Sequence, residues 1–323
     1  MKQKLFSVLT ALILGCSFLV AQTIAKAPKD SRLVPMGTFY MDYINGQDTV
    51  RKQVSVNSFY LTNEVNNKEY REFITYLKAN PADTLFCFDL SRLKEASRYW
   101  RDKKSKDSTF KRTVSDKWME AAKPFVLFKT NTELLKDIID TNVWQGVFAN
   151  DKKLQQKYDH YFSDKEFNDY PVVGVNYENA RWFCVWKSKT DYEQRISQGK
   201  PIENDFRLPS EVEWMYAASQ GKTKSAENNT IHSAKEGEKN ALKIKNLSDN
   251  VCEWTTSNGE YQFSHDLNPD TESNNSPNKI VKGGSWKTGQ GIGERKLCDK
   301  NARNCYTGFR MVKTLTVYPA KKV

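Results

Sequence analysis

Apolar and polar positions alternate along the chain in ways that define its first elements. Val54, Val56 and Ser58 alternate with polar neighbours and lead into Phe59-Tyr60-Leu61, which predicts short strands. The segment before them, from Arg32 through Val34-Pro35-Met36-Gly37, is rich in turn formers and aromatics. At Asn66 the period changes. Tyr70, Phe73, Ile74 and Leu77 fall at helical spacing, and Glu69 sits three residues after Asn66 as a capping box requires. Asn80-Pro81 stops that helix. A second helix begins at Asn176 and places Tyr177, Ala180, Phe183 and Cys184 on one face. A third follows Ser210, which forms a capping box with Glu213, turns Trp214, Ala217 and Ala218 inward, and ends at Gly221. Lys222 to Lys243 and Asn268 to Asn278 are polar and predict loose loops. With no internal repeat and no clean linker, the pattern predicts one α+β domain with insertions.

The first residues follow another rule. Lys2 and Lys4 precede an apolar run from Leu5 to Leu14, the signature of a signal peptide over residues 1–21. Two exits are open. Ile13-Leu14-Gly15-Cys16 has the form of a lipobox, with Cys16 as the lipidated first residue, and Val20-Ala21 suits ordinary cleavage. Both imply export. Five cysteines then remain: Cys87, Cys184, Cys252, Cys298 and Cys305. They lie in a compartment that permits disulfides, and an odd number leaves at least one unpaired within the chain. Cys298 and Cys305, seven residues apart, either bridge a loop or stay as two thiols.

The formal charge is +11 over 323 residues, and aromatic residues at 12% are enough for a real core. Arg92 to Arg112 holds nine basic residues against three acidic ones, more than half of the excess left once Lys2 and Lys4 are removed. Such a stretch is either a solvated insertion or a docking strip for an acidic partner or anionic lipid. Nucleic acid suits the charge but not the compartment. The three histidines, His160, His232 and His265, are widely scattered, so several cannot ligate one metal from one helix.

Several segments then fall in a meaningful order. They are Val34-Pro35-Met36-Gly37, Phe59 to Asn66, Tyr170 to Asn176, Phe206 to Trp214, Asn250-Val251-Cys252-Glu253-Trp254, Lys282-Gly283-Gly284-Ser285-Trp286 and Gly308-Phe309-Arg310. This ordered set resembles the formylglycine-generating enzyme (sulfatase-modifying factor) family. The resemblance implies an α+β fold related to C-type-lectin-like domains, a single domain over residues 33–313 with short strands, few helices and much irregular structure. It also implies a basic insertion at 82–165 and a tail at 314–323. Asp140-Thr141-Asn142-Val143-Trp144, Tyr161-Phe162 and Asp169-Tyr170-Pro171 are similar to the GldJ and GldK (PorK) lipoproteins of gliding motility and type IX secretion. That similarity implies lipidation at Cys16 and residence on the periplasmic side of the outer membrane.

In the enzymes of this family two cysteines hold copper, and soft thiolates suit Cu(I). The corresponding positions here are Thr288 and Gly293, and neither can bind it. The paired histidines of the related iron oxidases have no counterpart either, so neither copper nor iron is expected. Cys252 stands where a large aromatic is common. The resemblance further implies a calcium loop using the Asn246 side chain, the carbonyls of Asp249 and Val251, and the Glu253 carboxylate, oxygen donors that suit a hard cation. Asp249 occupies a glycine position there and is expected to be left-handed. The alternative is that Asn246 and Glu253 merely brace the turn. The family's second calcium loop has no match between Lys222 and Lys243.

Three functions follow as expectations. The first is a non-catalytic scaffold subunit of a secretion and gliding assembly, meeting its partners through the Arg92–Arg112 strip and the aromatic region from Trp144 to Phe162. The second is an oxidoreductase of the formylglycine-generating type using Cys298 and Cys305. The third is a glycan- or peptide-binding module.

Overall fold

A computed structural model describes residues 23–45, 48–88, 126–221, 230–259, 276–289, 291–315 and 317–318. The signal peptide, Cys16 and the Arg92–Arg112 strip lie outside these residues. In chain order the strands are β1 (Thr23–Ile24), β2 (Ser31–Val34), β3 (Gly37–Asn45), β4 (Asp48–Val56), β5 (Phe59–Glu64), β6 (Thr84–Phe88), β7 (Val126–Thr130), β8 (Phe206–Arg207), β9 (Cys252–Asn258), β10 (Asn278–Lys282), β11 (Lys296–Asp299), β12 (Thr307–Gly308), β13 (Arg310–Thr314) and β14 (Val317–Tyr318). The helices are α1 (Asn67–Ala79), α2 (Asn131–Leu135), α3 (Lys152–Tyr158), α4 (Tyr177–Ser197) and α5 (Glu211–Ala218).

Local chemistry explains the helix starts. Asn66, Asn176 and Ser210 each accept a hydrogen bond from the backbone three residues on, and the cap's own N–H donates to the side-chain oxygen there (Glu69, Asn179, Glu213). Orphan N–H groups at both ends of the box are thereby satisfied. α1 stops at Asn80, ahead of Pro81, as expected. α5 ends at Ser219, and Gly221 turns left-handed (φ 92°) just beyond it.

Two four-stranded sheets carry the domain, in the orders β2-β5-β13-β8 and β11-β10-β9-β12. The second contains one parallel pair, β9 with β12. β3 and β4 form a nine-residue antiparallel ladder, longer than the short strands expected. Between α1, α4 and the second sheet lies the main core, where Tyr70 stacks on Phe183 with ring centroids 5.5 Å apart and Phe73, Trp186, Trp254 and Phe309 complete it. Full burial of a side chain such as Phe73 contributes about 1.5–3 kcal/mol. A second cluster joins Trp214 and Ala217 of α5 to Val34, Phe59, Leu61 and Val312. A third stacks Trp144 on Trp286 at 5.3 Å, beside Tyr158, Tyr161 and Phe167.

The described parts of the expected 82–165 insertion are integral to these clusters, since Leu85, Leu134 and Ile138 enter the main core and Trp144, Tyr158 and Tyr161 build the third. The loop from 230 to 243 is also better packed than its polarity suggests. Ile231, Ala234 and Asn240 are buried, and Asn240 donates to the Ala217 carbonyl while accepting from the amides of Leu242 and Ile244. The motif around Gly174 has a steric basis. Its φ is 77°, and a Cβ would sit 2.1 Å from the Asp140 carbonyl oxygen, so only glycine allows that approach.

Candidate functional site

Two places gather polar chemistry from distant parts of the chain. The first lies under the junction of β5, β9 and β13. Glu253 of β9 and Arg310 of β13 are fully buried and meet through two bonds: Nε and one terminal nitrogen each lie 2.6 Å from a carboxylate oxygen. The Trp214 indole donates to Glu253 Oε2 at 2.7 Å. Arg310 also donates to the carbonyls of Thr62 and Lys245, which locks the loop before β9 against β5. Glu64, at the end of β5, accepts from the amide groups of Asn246 (2.7 Å) and Asn250 (2.9 and 3.1 Å). Burial pushes the Glu64 carboxyl up to about 8, against the pull of Arg310.

This network changes the expected calcium loop. Glu253 already accepts three N–H groups and is neutralised by a guanidinium, so its charge is met within the fold. Of the expected set Asn246, Asp249, Val251 and Glu253, the Glu253 carboxylate is thus already engaged by Arg310 and Trp214. The left-handed residues of the turn are Asn246 (φ 57°) and Asn250 (φ 65°), and Asp249 is not among them. Asparagine tolerates that conformation because its short amide bonds locally. The Asp249 carboxylate pairs with the His232 ring, its Oδ2 3.8 Å from Nε2.

The second place surrounds Thr288. Its hydroxyl lies 2.7 Å from Ser285 Oγ, accepts from Lys296 Nζ at 3.2 Å and is 3.8 Å from Cys252 Sγ. Cys252 also donates to the Gly283 carbonyl, and Lys296 Nζ approaches its sulfur to 3.7 Å. Spacing along the chain could not reveal this meeting of Cys252, Thr288 and Lys296, because β9, the turn after β10 and β11 supply one residue each. Gly293 has open space around it, and its carbonyl faces Lys282 Nζ at 3.5 Å.

Cys298 and Cys305 are both free, so the expected disulfide is not made. The reason is direction. Cys298 packs against the main core from β11, whereas Cys305 is buried in the third cluster, where its carbonyl accepts from the Trp286 indole at 2.9 Å. Burial raises all three thiols of this region, Cys252, Cys305 and Cys298, the last to about 11, so each favours its protonated form at neutral pH. Elsewhere, a cleft of about 270 Å³ opens between Asp30, Glu64, Glu69, Lys187, Asp191 and Lys235.

Among solved structures the chain is similar to Treponema denticola variable protein 1 (13% identity, 91% of this chain and 99% of that one, TM-score 0.47). It is also similar to CarF (14%, 90% and 100%, 0.46) and to PvdO from Pseudomonas aeruginosa (15%, 90% and 98%, 0.47). No curated protein matches. The family model described as the sulfatase-modifying factor enzyme 1-like domain matches residues 18–230, more than half of the chain. With that match and an α+β architecture of few helices and mostly short strands, the chain belongs to the sulfatase-modifying factor enzyme 1-like domain family.

Proposed function

We propose that this chain is a non-catalytic member of its family, a scaffold subunit of a secretion and gliding-motility assembly held at the periplasmic side of the outer membrane by a lipid on Cys16. The observation that carries this reading is the surroundings of Thr288. The position that resemblance assigns to the first copper thiol carries a hydroxyl engaged by Ser285 and Lys296. A copper pair needs two convergent thiolates. Gly293 offers no side chain, and Cys298 and Cys305 pack into different clusters. The scaffold is nevertheless kept: Glu253, Arg310, Trp214 and Gly174 hold the fold in the manner described above. The residues that resemble GldJ and GldK, Asp140 to Trp144, Tyr161-Phe162 and Asp169 to Pro171, belong to or border the third aromatic cluster, which suits a structural role.

The test has two arms. Purified protein reconstituted with Cu(I) is assayed for stoichiometric copper and for oxygen consumption with a cysteine-containing peptide. Neither is expected, and turnover with bound copper would overturn the reading. Affinity isolation from envelope membranes followed by mass spectrometry is expected to recover machinery proteins with the wild-type chain and to lose them when residues 92–112 are deleted.

A further inference from the structure

The end of α4 presents three large apolar side chains to solvent. Tyr192 and Ile196, one helical turn apart on one face, are 44% and 53% exposed, and Ile202 just beyond the helix is 56% exposed. Exposed apolar residues scattered singly need no explanation, but three at one corner do.

The corner is rigid. Gly199 is left-handed (φ 61°); its amide donates to the Ile196 carbonyl at 3.0 Å and the Lys200 amide to the Arg195 carbonyl at 2.9 Å, the paired bonds of a glycine-stopped helix. Arg195 ties down the returning chain. Its guanidinium lies 2.6 Å from Glu203 Oε2 and 3.5 Å from the Pro201 carbonyl oxygen, and these two residues flank Ile202. Ile202 is thereby held beside the turn that carries Ile196, so covering this surface costs little conformational entropy.

What covers it follows from where the chain enters the fold. β1 pairs with β14 in the register Thr23 to Tyr318 and Ile24 to Val317. The Ala25 carbonyl accepts from the Tyr60 hydroxyl at 2.9 Å, Tyr60 of β5 is the register partner of Lys313 on β13, and Lys313 Nζ lies 2.9 Å from Glu203 Oε2. The Thr314 carbonyl, at the end of β13, accepts from Asn204 Nδ2 at 3.2 Å. These links put the entering chain and the Ile202 segment at one end of the β2-β5-β13-β8 sheet. Seven residues lead from Cys16 to Thr23, and even fully extended they span at most about 25 Å. A folded chain of this size has a radius of gyration of about 19 Å, so a lipid on Cys16 brings this end to the bilayer and not the opposite one.

We propose that Tyr192, Ile196 and Ile202 insert into the phospholipid interface of the membrane that holds the lipid anchor, docking the domain through the end of α4. This rests on the reading above that Cys16 is lipidated. A ring with a polar tip beside branched aliphatic side chains suits the boundary between headgroups and acyl chains. Two carboxylates beneath the corner are matched inside the fold: Arg195 and Lys313 each reach both Glu203 and Asp191, so neither presents uncompensated negative charge to the headgroups. The lipid supplies the tether and the corner supplies the orientation.

The full-length chain, exported and lipidated in a bacterial host, is reconstituted into phosphatidylethanolamine–phosphatidylglycerol vesicles that contain a phospholipid with a photoreactive acyl chain. Flotation reads the anchor, and mass spectrometry after irradiation reads the corner. The chain is expected to float, and the peptides carrying Tyr192, Ile196 and Ile202 to gain about fivefold or more adduct than the peptide carrying the comparably exposed Phe128. Ile196→Ser combined with Ile202→Ser is expected to erase those adducts while flotation and melting temperature stay nearly unchanged, because the lipid still tethers and both side chains are exposed. Flotation with adducts elsewhere overturns the docking and leaves the anchor standing, whereas absence of flotation overturns both. A dimer in detergent that the double variant dissociates would assign the corner to a second copy and likewise overturn the proposal.

Discussion

Glu253 and Arg310 form a two-pronged ion pair from which water is excluded, with neither side chain exposed and both bonds at 2.6 Å. Fifty-seven residues separate them in the chain, and they join the two four-stranded sheets, Glu253 on β9 and Arg310 on β13. Because the guanidinium also donates to the carbonyls of Thr62 and Lys245, the pair anchors both β5 and the polar turn.

Breaking this pair leaves an uncompensated buried charge. Arg310→Met and Glu253→Gln are each expected to destabilise the fold by about 3–5 kcal/mol, and the double variant by clearly less than the sum. Chemical denaturation of the three variants checks this; additive losses would count against the pairing.

Lys282 is 1% exposed on its side chain, near Glu211 and bonded to the Glu294 carbonyl. Burial lowers its pKa to about 8, whereas an unfolded lysine titrates near 10.5. Below pH 8 the charge is carried in both states and the cost of burying it is complete. Between about 8 and 10.5 the folded chain releases the proton first, so this group's contribution to stability rises with pH, by at most about 3 kcal/mol. Lys282→Met is expected to remove that rise. Stability of the two proteins compared at pH 7, 8.5 and 10 provides the check, and parallel profiles would refute it.

Asn66 caps α1 through a reciprocal box with Glu69. Asn66→Ala is expected to cost about 1 kcal/mol and Asn66→Ser much less, because serine retains the acceptor. The measurement is the denaturation midpoint at constant slope.

Cys298 and Cys305 are expected to alkylate without prior reduction in the unfolded protein, and the melting temperature to be the same with and without reductant. A linked 298–305 peptide in a non-reducing digest would contradict the packing of the two thiols into separate clusters.

The legible part of this molecule was local. The boxes at Asn66 and Ser210 and the helix start at Asn176 could be placed because each cap bonds within three residues of itself. The long β3–β4 ladder is not legible in this way: strict alternation shows only around Val54 and Val56, and the length comes from pairing between the two strands. The order from residue 230 to 243 is not legible either, since Asn240 is organised by a carbonyl on α5 together with the amides of Leu242 and Ile244.

The candidate sites divide along the same line. Sequence by itself supplied the family motifs, Thr288 and Gly293 at the positions that resemblance assigns to the two thiols, and Asn246, Glu253 and Arg310 as motif residues. It could not pair them. Which cation-like group Glu253 faces, where the Asp249 carboxylate points and whether Cys298 reaches Cys305 depend on side-chain directions across sheets and turns. Motifs record residue types at short spacing, whereas a buried charge is satisfied by whatever the fold brings within about 3 Å, often from the other end of the chain.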